Sequence, residues 1–131
     1  MLRLLKVFEG RPALLLTFLA ATLLLPLTGC DSSKDDFDHD PPAGMGTLYI
    51  VNRTPDDSRV FIDGDRVSDV DGNDYEWFDL APGTHRVVVT QGNTDRVFRD
   101  DVDVLEGQRT ILELSVDPID PNRFDTFIDF D

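Results

Sequence analysis

The chain has 131 residues, with 26 Asp or Glu against 12 Lys or Arg, a formal charge of −14 and a single cysteine. Charge of that sign argues against a nucleic-acid or anionic-membrane binding face, since both need basic patches, and one cysteine leaves no partner for an internal disulfide. Only Glu9, Glu76, Glu106 and Glu113 are Glu and only Lys6 and Lys34 are Lys; Asp-rich, Lys-poor surfaces occur in proteins of salty environments, where salt screens self-repulsion.

Residues 1–29 carry Arg3, Lys6 and Arg11, then the apolar run Ala13 to Leu25, then Pro26 and the small pair Thr28-Gly29. A basic start, a short apolar middle and small residues at the cut make a secretory signal. Pro12 and Pro26 bracket 13 residues, short of the ~20 that a spanning helix needs. Leu27-Thr28-Gly29-Cys30 resembles the lipobox of bacterial lipoproteins. The resemblance implies a lipid on the Cys30 thiol, cleavage before Cys30 and acylation of the new amino group. Several acyl chains together make a stable anchor, whereas a free thiol would lie between signal and spacer with nothing to bury it. Cleavage leaves 9 basic and 25 acidic residues among 102, a net charge of −16. In enterobacterial lipoproteins an Asp after the lipidated Cys, here Asp31, implies retention in the plasma membrane. That puts the periplasmic side of the inner membrane ahead of the outer membrane and leaves both open.

Residues 30–46 follow Cys30 with "DSSKDDFDHDPPAGMG", acidic, rich in Pro, Gly and Ser and without hydrophobic period. This predicts a disordered tether. His39 among Asp36, Asp38 and Asp40 has metal-binding side chains but nothing to fix their geometry, so a solvated spacer is expected.

From Thr47 the texture changes to short runs rich in Val, Ile and Phe. Strands are predicted over 47–53, 58–63, 74–80, 84–90, 96–104 and 109–116, with turns at Pro55-Asp56-Asp57, Asp63-Gly64, Asp71-Gly72, Pro82-Gly83, Gly92-Asn93 and Glu106-Gly107. No helical period follows the signal, so residues 47–116 read as an all-β sandwich of six to seven strands. Alternation assigns Leu48, Ile50, Val60, Ile62, Val87, Val89, Val102, Val104, Leu112, Leu114 and Val116 to the core. Trp77 and Phe78 are expected there too, because large aromatics carry much of a small domain's burial.

Gly46-Thr47-Leu48, Thr54-Pro55, Ile62-Asp63-Gly64, Pro82-Gly83-Thr84-His85 and Gly107 follow the order of the PEGA domain, and residues 46–116 resemble that family. The resemblance implies a small β-sandwich of envelope proteins, used as an accessory or interaction module and not known as an enzyme. It also implies that His85 points inward. The naming motif is reduced to Pro55-Asp56-Asp57-Ser58, and "RVSDVDGNDYE" (66–76) replaces the family's Gly-x-x-Pro segment.

Within that loop Asp69, Asp71, Asn73 and Asp74 begin with the oxygen spacing of a calcium loop. Asp74 and Leu80 stand where an EF-hand wants Gly and Glu, so a plain hairpin tip competes with calcium. A calcium- or glycan-binding loop at 66–76 is the alternative function. No catalytic constellation is visible: His39 is in the tether, His85 in a turn, and the serines lie outside nucleophile motifs. No cofactor is expected beyond the covalent lipid on Cys30.

The same alternation turns Tyr49, Val51, Phe61, Val88 and Ile111 outward, an apolar set of the kind that marks interaction surfaces. Residues 117–131 place Phe124, Phe127, Ile128 and Phe130 among five Asp. This tail either folds back across the outward face or serves as a linear segment for another envelope protein. The expectation is a membrane-anchored, non-catalytic binding or scaffolding module.

Overall fold

The computed structural model describes residues 37–131; the predicted signal, Cys30 and the first part of the predicted spacer lie outside the described residues. Eight strands form two four-stranded sheets: β1 (Gly46–Asn52), β2 (Ser58–Ile62), β3 (Asp65–Val70), β4 (Tyr75–Leu80), β5 (Gly83–Gln91), β6 (Val97–Val104), β7 (Arg109–Val116) and β8 (Phe124–Phe130). One sheet runs β4-β1-β7-β8 and the other β3-β2-β5-β6. All neighbours are antiparallel except β1 and β7, which run parallel from Thr47 beside Arg109 to Asn52 beside Leu114. No helix among the described residues is long and apolar enough to cross a membrane.

The inward faces close one core of Leu48, Ile50, Val60, Ile62, Val70, Val87, Val89, Phe98, Val102, Val104, Leu112 and Leu114, with Phe78, Leu80 and Phe124 packed against it. Ten of the eleven residues assigned inward by alternation lie in this cluster. Val116 is half-buried near the strand's end. The period-2 pattern succeeds because each strand turns one face to the core and the other away from it.

Two turns fix the register at the sandwich ends. Asp63 (φ 53°) and Gly64 (φ 93°) both take positive φ in the β2–β3 connection, the conformation a two-residue hairpin demands. Gly72 packs so closely against the 53–57 loop that a Cβ would lie 2.3 Å from the Pro55 carbonyl oxygen. Buried Asn52 ties the same two loops together, its Nδ2 donating to the carbonyls of Asp56 (2.8 Å) and Asp71 (3.1 Å).

Four expectations are corrected. First, residues 65–70, in a stretch expected as loop, form strand β3: the sequence DRVSDV exposes all but Ser68 and Val70, so it carries no apolar period, and pairing with β2 makes it a strand. Second, residues 124–130, expected either to fold back across the outward face or to serve as a linear segment, form strand β8 at the edge of the first sheet, paired with β7 from Thr110 opposite Phe130 to Val116 opposite Phe124. Third, the spacer from Phe37 onward is a strap laid against the outer face of the first sheet. Fourth, Trp77 sits on that outer face, 42% exposed, because it neighbours Tyr49 rather than Leu48.

Candidate interaction surface

The outward apolar set divides by sheet. On the first sheet, Tyr49 and Val51 face away from the core as alternation requires, yet both are buried, Tyr49 completely. The strap accounts for Tyr49. The Phe37 ring lies 4.4 Å from the Tyr49 ring and edge-on to Tyr75 at 5.3 Å. Tyr49 Oη accepts from the His39 backbone N–H (3.1 Å) and donates to the His39 carbonyl (3.0 Å). Burial pushes the Tyr49 phenol above its ordinary pKa, against the opposing pull of that N–H. Val51 lies in the row between Tyr75 and Glu113. Neither residue is open to a partner.

His39 locks the strap. Its ring stacks on Trp77 at 3.6 Å and 11°, while Nε2 meets both carboxylate oxygens of Asp79 at 2.8 and 3.0 Å. Thr47 Oγ1 donates to the same carboxylate at 2.6 Å, and Arg109 Nη1 donates to the Phe37 carbonyl at 2.6 Å. A strongly acidic spacer thus finds an aromatic and hydrogen-bonded seat, which composition alone cannot show.

On the second sheet, Phe61 and Val88 are cross-strand neighbours and half-buried. They stand among Arg59, Arg66, Arg86 and Arg99, with Arg66 paired to Asp69 and Arg86 to Asp101. Ile111 on the first sheet is also half-buried, beside Tyr49. These three supply only interrupted apolar area.

The larger surface is on β8. Phe127 is 63% exposed, Phe130 46% and Ile128 37%. Phe124 alone turns into the core. Ile128 and Phe130 stand on the inward side, opposite Leu112 and Thr110, but the facing sheet stops at β6 and leaves them uncovered. Beside them a cleft of about 330 Å³ opens between β6 and the start of β8, lined by Phe98, Arg99, Asp100, Arg123, Phe124 and Thr126 among others.

The calcium-like spacing does not converge. Asp69 is bound to Arg66 Nη2 at 2.7 and 2.8 Å on β3, and Asp74 accepts from the Tyr75 N–H at 2.8 Å. The Asp71 carbonyl is taken by Asn52, and Asn73 (φ 58°) donates its N–H to Thr54. Among the described residues no three His, Cys, Asp or Glu side chains gather as metal ligands.

His85 lies on the inward side of β5, largely buried at the sheet end, where it clamps two turns. Nδ1 meets Asp63 Oδ2 at 2.7 Å and Nε2 meets the Ala81 carbonyl at 2.8 Å. Burial lowers its pKa, but the hydrogen bonds to Ala81 and Asp63 and that carboxylate's charge outweigh burial and leave it above the ordinary value. The His85 hydrogen bond, helped by the Arg86 N–H, holds Asp63 below the usual carboxylate range.

No family model matches the chain. No curated protein matches it either. The PEGA likeness therefore rests on the turn motifs alone. Among solved structures, the N-terminal domain of AlgF from P. aeruginosa is similar, with a TM-score of 0.53 and 16% identity over 69% of this chain and 96% of that one. At that identity the likeness concerns the fold: a small two-sheet β domain.

Proposed function

We propose that this chain is a lipid-anchored, non-catalytic binding module of the bacterial cell envelope, held to a membrane through Cys30 and serving another envelope protein. The lipobox-like Leu27-Cys30 supports the anchor, and Asp31 favours the periplasmic side of the inner membrane. A fold shared with a domain of a bacterial protein agrees with that setting. The observation that carries the binding role is β8, where Phe127, Ile128 and Phe130 stay exposed together along one strand.

The test is mass spectrometry of the membrane fraction beside a Cys30→Ser variant, with crosslinking in intact cells. A diacylglycerol-sized mass on Cys30 and one dominant crosslinked envelope protein are expected. An unmodified, freely released protein would remove the anchor, and an anchored protein with no crosslinked neighbour would remove the binding role.

A further inference from the structure

Strand β8 is an edge. It pairs with β7 on one side, and among the described residues nothing pairs with the other. The Arg109 and Asp131 backbones exchange both hydrogen bonds, at 2.8 and 2.9 Å. Antiparallel alternation then directs Asp125, Phe127 and Asp129 to β7 and turns the N–H and C=O groups of Phe124, Thr126, Ile128 and Phe130 to the free side. The Phe130 N–H is capped by the Asp129 carboxylate at 2.9 Å. Thr126 and Ile128 therefore keep a full donor and acceptor pair each, in the middle of the edge.

Side chains define what fits there. The outer face of β8 alternates Asp125, Phe127 and Asp129; the inner face shows Ile128 and Phe130 past the end of the opposing sheet. A second copy is a poor occupant. Antiparallel pairing of two β8 strands about Phe127 sets Asp125 of one against Asp129 of the other, twice, and like charges directly opposite destabilise a sheet. The high negative charge of each copy adds to that repulsion. What complements the edge is a strand with Lys or Arg opposite Asp125 and Asp129, an apolar residue opposite Phe127, and apolar residues on its other face to cover Ile128 and Phe130.

We propose that β8 is a strand-addition site that takes an extended segment of alternating basic and apolar residues from a partner protein. The proposal rests on the binding reading above and names the chemistry of its partner. Backbone bonds to Thr126 and Ile128 supply affinity, and Asp125 and Asp129 supply selection.

The test uses the full chain in detergent and two labelled peptides of equal length, one alternating Arg and Val, the other Glu and Val. Fluorescence anisotropy should show at least tenfold tighter binding of the Arg-Val peptide, and amide exchange at Thr126 and Ile128 should slow when it binds. Ile128→Pro removes a free-side donor without touching the β7 ladder and should abolish binding. Asp125→Asn with Asp129→Asn, both exposed, keeps the fold and should cut the Arg-Val preference by at least fivefold. Equal binding of both peptides, no binding of either, or protection elsewhere than β8 overturns the proposal. Since this assay needs no lipid, its failure beside a crosslinked envelope partner refutes the edge site alone. Success without any crosslinked cellular partner refutes the reading that the protein serves another envelope protein and leaves the edge site standing.

Discussion

The His85 and Asp63 side chains give the molecule a pH dependence whose sign follows from their shifts. His85 titrates above its ordinary value of about 6.5, so its contribution to stability is complete below that and is lost as pH rises through the folded value. Asp63 titrates below its ordinary value of about 3.9, so its contribution is present above that and is lost as pH falls through the folded value. The clamp is therefore worth most between about pH 4 and 6.5. Urea melts of wild type and His85→Ala across pH 3 to 9 should show a stability difference that peaks there and shrinks on both sides; a flat difference would contradict the clamp. A second single-residue expectation concerns the strap. Trp77 is the only tryptophan and carries the His39 ring, so His39→Ala should red-shift its emission as water replaces the stacked ring. Unchanged emission would mean that the strap does not rest there. Gly72→Ala should cost on the order of 2 kcal/mol, because the new methyl meets the Pro55 backbone rather than a movable side chain.

At the scale of the element, β1 differs from the others in being buried along its whole length. It lies between β4 and β7, its inner side faces the core, and the strap and the outer-face aromatics close over Tyr49. Its outer side is then as sensitive as its inner one: Tyr49→Ala should lower stability by about 3 kcal/mol, of the order found for buried aromatics, where a solvent-facing strand residue would cost a few tenths. Thermal melts distinguish these outcomes. Strand β8 carries the opposite problem. An exposed apolar edge invites unwanted pairing, and Asp125 and Asp129 answer it by making the pairing of two copies about Phe127 repulsive. The acidic residues interleaved with the aromatics of this segment are the feature that lets an apolar edge stay free.

For the whole molecule, the acidic surface sets the response to salt. With 25 acidic and 9 basic residues after the proposed cleavage, self-repulsion should raise Tm as NaCl increases over the first few hundred millimolar, where the Debye length falls below the spacing of surface charges. A Tm that does not move would mean that the local pairs, such as Arg86 with Asp101 and Arg109 with Asp131, already neutralise the field.

By itself the sequence determined the all-β class, the positions of six strands and ten core residues. Those depend on period-2 alternation and on turn residues, which act within a few positions of one another. It also singled out Cys30 and the apolar residues of the last segment. Tertiary structure decided what depends on distant partners. DRVSDV becomes a strand only because β2 lies beside it, and FDTFIDF only because β7 offers a ladder. Tyr49 passes from outward surface to buried because an acidic spacer, unreadable as structure on its own, places Phe37 and His39 over it. Of the proposed surface, the apolar content of the last segment located the residues but not their exposure, since exposure depends on where the opposite sheet ends and on what the chain lays across each face.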